Sequence, residues 1–91
     1  MLEAAKLALR ISTDAYDEEI ESLLGAAEQD LRVAGVTRVD RDDDLVKRAL
    51  ITYVRANFGS PDDYERLRDS YELQKSVLMH AADYTDYGED A

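Results

Sequence analysis

Cysteine is absent from this chain. That removes disulfide scaffolds, thiolate catalysis and thiolate-bound zinc together, and leaves the redox compartment unreadable. Proline occurs once and glycine four times, too little turn material for a β-rich fold with many tight hairpins. No apolar run approaches the roughly 20 residues of a membrane-spanning helix. The opening Met1-Leu2-Glu3-Ala4-Ala5-Lys6 lacks a signal-peptide core, so a soluble, intracellularly made protein is expected. Positive charge is scarce: 11 Lys and Arg against 21 Asp and Glu give a formal charge of −10. Gripping a nucleic-acid backbone or an anionic membrane needs a basic face, so the balance argues against both. What remains is a 91-residue chain that is 45% hydrophobic, too apolar for intrinsic disorder and short enough for one modest core.

Helical period fills that length. Leu2, Ala5, Lys6 and Leu9 line one side of a short first helix that ends near Arg10-Ile11. Ser12-Thr13-Asp14 offers side-chain oxygens to cap a second helix. Behind it Ile20, Leu23, Leu24, Ala27, Leu31 and Ala34 form an amphipathic stripe, and Gly35 is placed to close it in the left-handed conformation. Val36–Arg41 reads as a connector with a little extended structure at Val36 and Val39. Asp42-Asp43-Asp44 opens a third helix whose wide apolar face (Leu45, Val46, Ala49, Leu50, Tyr53, Val54, Phe58) makes it the expected centre of the core, with Gly59 at its end. Ser60-Pro61-Asp62-Asp63 has the order of a capping box, with Pro at the first helical position. The fourth helix then carries Tyr64, Leu67, Tyr71, Gln74, Leu78 and Ala81 at alternating spacings of three and four. The expected fold is therefore all-α: one bundle of about four helices over residues 1–82, and a loose acidic tail over 83–91 with Tyr84 and Tyr87.

Charged and polar groups carry little chemistry of their own. Eleven of the 21 acids fall at the three later helix starts, where carboxylates favour the positive end of the helix dipole, so half the acidity has a structural explanation. Asp40-x-Asp42-x-Asp44 imitates the opening of a calcium loop, but Leu45 stands where the turn needs Gly and Ile51 where a bidentate Glu is required. His80, the single histidine, has neither a metal-binding companion nor an oriented nucleophile. Ser70 follows an Asp, as does the phosphopantetheine-bearing serine of acyl carrier proteins, but it precedes Tyr71 and falls mid-helix rather than at a helix start. No enzyme, cofactor or metal is expected. Tyr53, Tyr64 and Tyr71 follow core stripes, whereas Tyr84 and Tyr87 stand in polar sequence and are candidates for contact with another subunit.

Several segments together resemble the head–tail connector (DNA-packaging adaptor) proteins of tailed bacteriophages and prophages. They are Leu2-x-x-x-Lys6-x-x-Leu9-Arg10-Ile11 with Asp14-x-x-Asp17-Glu18-x-Ile20, then Ala49-Leu50-Ile51-Thr52-Tyr53-Val54-Arg55-Ala56-Asn57-Phe58-Gly59 running into Pro61-Asp62-Asp63-Tyr64-Glu65-Arg66-Leu67 and Tyr71, and finally Tyr84-Thr85-Asp86-Tyr87. The resemblance spans residues 2–87 and includes no catalytic motif. It implies a structural virion protein, made in the bacterial cytoplasm, that joins itself in a ring of about a dozen copies under the portal protein, the copies meeting through two different faces. The ring would extend the DNA channel and carry stopper or tail proteins. Duplex DNA would pass without tight binding, which a net-negative subunit favours.

Exposed charges on the second helix (Glu21, Glu28, Arg32) and third helix (Lys47, Arg48, Arg55) are the candidates for pairing across a subunit boundary, together with Tyr84 and Tyr87. On a lone subunit the same charges are simply solvated. A different class, a small acidic interaction protein that mimics DNA for a nucleic-acid-binding partner, stays open. It would need regularly spaced exposed acids.

Overall fold

Helices dominate the computed structural model, which describes residues 1–85: α1 (Leu2–Leu9), α2 (Asp17–Val33), α3 (Asp44–Asn57), α4 (Tyr64–Met79) and a 3-10 turn at Ala82–Tyr84. There is no strand among the described residues, and the Val36–Asp40 connector has no regular structure. α3 is the centre, packing against α1, α2 and α4. It buries Val46, Ala49, Leu50, Thr52, Val54 and Ala56, more than any other helix. The α2 stripe appears as expected, with Ile20, Leu24, Ala27 and Leu31 fully buried and Leu23 and Ala34 at its edge. Each fully buried Leu, Ile or Val contributes about 1.5–3 kcal/mol of transfer free energy. α1 is too short to persist alone, and it is held by burying Ala5 and the stem of Lys6 against α2 and α3.

Local chemistry explains the helix ends. Gly35 has φ +107°. Its N–H donates to the Arg32 carbonyl at 3.0 Å, and the Val36 N–H donates to Leu31 at 2.9 Å, the paired bonds of a Schellman motif. α1 ends the same way without glycine. Arg10 takes φ +60° while its N–H donates to Leu7 and that of Ile11 to Lys6, a left-handed conformation that non-glycine residues adopt at a cost. Asp43 caps α3, its carboxylate accepting from the N–H groups of Leu45 (2.9 Å) and Val46 (3.2 Å).

Two helix starts lie later than the sequence suggests. α2 begins at Asp17, not after the Ser12–Asp14 cap, and Tyr16 at its N-cap position makes no side-chain cap bond. The reason is Lys6, 5% exposed, whose ammonium takes Asp14 at 3.1 Å and Asp17 at 2.8 Å. The Asp14 carboxylate is therefore bound to α1 rather than to the first-turn amides of α2. α4 begins at Tyr64, not at Pro61: residues 61–63 form a preliminary turn, and Asp63 is the N-cap, without a side-chain cap bond, its carboxylate bonded instead to Arg66.

Three aromatic or aliphatic residues sit differently from the stripes. Leu45 lies outside the core, 46% exposed, and Tyr64 is also exposed, its ring stacked under the Arg68 guanidinium. Tyr84, in the segment expected to be loose, packs on its own chain. Its carbonyl accepts from the amides of Thr37 (2.9 Å) and Arg38 (3.3 Å), and its hydroxyl donates to Asp43 at 2.9 Å.

Candidate functional site

The candidate residues divide between two faces of the bundle. On the face made by α2, the connector and the 3-10 turn, charges are paired within the chain. Arg41 lies in the connector and donates to Glu28 through two nitrogens, Nε–Oε2 at 3.0 Å and Nη2–Oε1 at 2.9 Å, and reaches Glu21 at 3.5 Å. Glu28 is thus not the free exposed charge that its helix position suggests: bonding to Arg41 outweighs burial and holds its carboxyl below the usual range. Tyr84 is likewise occupied. The Asp43 carboxylate is held low by the Val46 amide first, then by the Tyr84 hydroxyl and the Leu45 amide, and the shared bond in turn raises the Tyr84 phenol. Arg32 stands exposed in the last turn of α2, and Lys47 is half-buried on α3. Tyr87 lies outside the described residues.

A second polar knot joins α2 to α4. The Tyr71 hydroxyl donates to Asp30 at 2.6 Å, and Lys75 bridges Asp30 and Glu72 at 3.1 Å each. Burial disfavours the Asp30 carboxylate, but the bonds from Tyr71 and Lys75 outweigh it and keep its pKa low. Burial first, then the bond to Asp30, pushes the Tyr71 phenol far up. Tyr71 also meets Tyr53 edge to face, ring centroids 5.2 Å apart.

The outer face of α3 and α4 is built differently. Leu45, Arg48, Thr52 and Arg55 recur along one row of α3, and Arg66, Ser70, Leu73 and Val77 along one row of α4. Two hollows of about 280 and 230 Å³ lie between these rows and share Arg48, Ser70 and Gln74. They form one groove. Its end at the start of α3 is apolar, lined by Leu45, Leu73 and Val77, with Leu73 68% and Val77 52% exposed. The other end is basic, lined by Arg48, Arg55 and Arg66. Arg66 is bonded to Asp63, whereas Arg48 and Arg55 make no ion pair among the described residues. The Oε1 of Gln74, midway along, is buried without a hydrogen-bond partner.

Sequence reasoning nominated Arg48 and Arg55 but missed Leu73 and Val77. The available signal was two large aliphatic residues four apart that fit no core stripe. It also missed Arg41, whose partners lie 13 and 20 residues away. The remaining candidates of the polar sequence have structural roles. Asp40 accepts from the Asp42 amide at 2.9 Å and Asp43 caps α3. His80 caps the end of α4 with Nδ1 2.7 Å from the Ser76 carbonyl, and Ser70 lies mid-helix beside Gln74. No group of three metal-ligating side chains occurs among the described residues, and none of their helices is long and apolar enough to cross a membrane.

Comparison with known proteins matches residues 1–85 to a family model described as phage connector protein. No curated protein and no solved structure matches the chain.

Proposed function

The chain belongs to the phage connector protein family, a family of structural proteins, and on that premise we propose that it is a head–tail connector subunit. In this reading its copies join in a ring under the portal protein, extend the DNA channel and present a surface to stopper or tail-completion proteins. The family match over residues 1–85 carries the proposal. Two physical features support it. A ring joins copies head to tail and so needs two unlike faces. This subunit has one face whose inward charges are paired internally and another, the α3–α4 groove, whose Leu73, Val77, Arg48 and Arg55 are left open. The net charge of −10 suits a wall past which duplex DNA must slide, because like charge prevents adhesion. Residues 1–82 would form the ring body, with Tyr84 bonded onto it, and Tyr87 would meet the adjoining ring.

The DNA-mimic reading has less support. Glu28, Asp30 and Asp43 are bonded inside the fold and so are removed from any outward array of acids.

Deleting the gene in the phage that carries it tests the role directly. The expected product is DNA-filled or leaking heads without tails, and purified virions of the parent should contain the protein at the head–tail junction by immunogold labelling. Normal tailed particles from the deletion would refute the connector role. Native mass spectrometry and negative-stain imaging of the purified protein, alone and with the portal protein, then report ring size.

A further inference from the structure

The α3–α4 groove has a polarity that restricts what fits it. An occupant must be apolar at the Leu45–Val77 end and acidic at the Arg48–Arg55 end. Such a row exists on this chain, on the outward side of α2. Glu18, Ser22, Ala26, Gln29 and Val33 recur at helical spacing and are all exposed. The row begins with acids, Glu18 beside Glu19, and ends in Val33, which is 78% exposed. Between them Ser22 and Ala26 are small, and a Cβ built at Gly25 would meet nothing within 4 Å, so another backbone can approach closely along this stretch.

We infer that the α3–α4 groove of one copy receives the outward face of α2 of the next copy, with α2 antiparallel to the α3 it contacts. Glu18 and Glu19 then face the Arg55 end, and Val33 covers Leu45, Leu73 and Val77. The lengths agree: the α2 row is about 22 Å long and the Leu45–Arg55 row about 15 Å at the rise of an α-helix, a difference that the arginine side chains span. Charge complementarity of this kind fixes register and rejects the reversed orientation. The contact is heterologous, groove to helix, and so propagates head to tail. The inference rests on the ring reading and adds which faces meet.

The chain has no cysteine, so introduced thiols report contacts unambiguously. Single variants Val33→Cys and Val77→Cys, mixed under mild oxidation, should give a disulfide heterodimer in about tenfold excess over a mixture of Val33→Cys with Glu72→Cys, whose thiol sits elsewhere around α4. The double variant V33C/V77C should give a ladder of oligomers. Charge reversal supplies the second arm. R55E and E18R/E19R should each weaken self-association about tenfold or more, and the three changes in one chain should restore it. Circular dichroism confirms that the exposed substitutions leave the fold intact. No preferential V33C–V77C crosslink, or no rescue by the combined reversal, overturns the inference. Duplex DNA retained by the wild-type protein and released by R48E/R55E, with self-association unchanged, would reassign the groove to phosphate and also overturn it. Failure here with rings still visible in the wild-type protein refutes only the choice of faces. Normal tailed virions from the gene deletion would refute the connector reading itself.

Discussion

Two faces of this small bundle solve opposite problems with similar residues. Around α2, the connector and Tyr84, each long charged side chain that reaches inward meets a partner: Lys6 with Asp14 and Asp17, Arg41 with Glu28 and Glu21, Lys75 with Asp30 and Glu72. Along the α3–α4 groove, leucine, valine and arginine stand open. The first arrangement ties segments distant in sequence to one another. The second leaves α3 and α4 with their inner sides committed to the core and their outer sides open, which leaves one pair of helices free to serve the proposed assembly as well as folding.

The contrast is broken most severely from the core that both faces share. Leu50→Ala removes a fully buried side chain of α3 and should cost about 2–5 kcal/mol in urea unfolding, enough to loosen both faces at once.

Tyr71→Phe tests the internally paired side alone. Losing the hydroxyl that donates to Asp30 should cost about 1–2 kcal/mol, while Lys75 still covers the carboxylate. Its pH dependence sharpens the test. Glu28 and Asp30 are held below their ordinary pKa values in the folded protein, so their contribution is present above the usual carboxylate range and is lost as pH falls through it toward the folded values. Wild-type stability should therefore decline below about pH 4, and Tyr71→Phe and Arg41→Ala should each flatten that decline. An unchanged acid limb in both variants would refute the attribution.

Gly35→Ala probes a single backbone angle. Nothing crowds the added methyl group, so the expected cost of about 1 kcal/mol comes from φ +107° alone. The smallest effect belongs to the open face. Leu73→Ser and Val77→Ser should each alter monomer stability by less than about 0.5 kcal/mol, measured by thermal unfolding at low concentration. A larger loss would mean that these side chains serve the core after all.

How far the sequence led depended on the distance over which each decision was made. The α2 stripe and the Gly35 terminus were readable because periodicity and a positive φ are local demands, met by adjacent residues. The start of α3 within Asp42-Asp43-Asp44 was readable for the same reason. The starts of α2 and α4 were misplaced because Asp14 had a stronger partner in Lys6, eight residues back, and Asp63 a partner in Arg66. Leu45 satisfied the α3 spacing yet fell on the flank that α4 does not cover, and no pattern within one helix reports where its neighbour ends. Of the groove, the arginines were legible as exposed charges. Its apolar half became visible only when α3 and α4 were set side by side.

The Tyr84 contact has a kinetic side. One carbonyl accepts from both Thr37 and Arg38, and the hydroxyl of the same residue reaches Asp43 across 41 positions of chain. Withdrawal of that single residue breaks both bonds to the connector and its bond to the α3 cap in one step. Local openings of this type exchange amide hydrogens faster than global unfolding does. The amide proton of Arg38 thus times how often the Tyr84 turn opens from the connector.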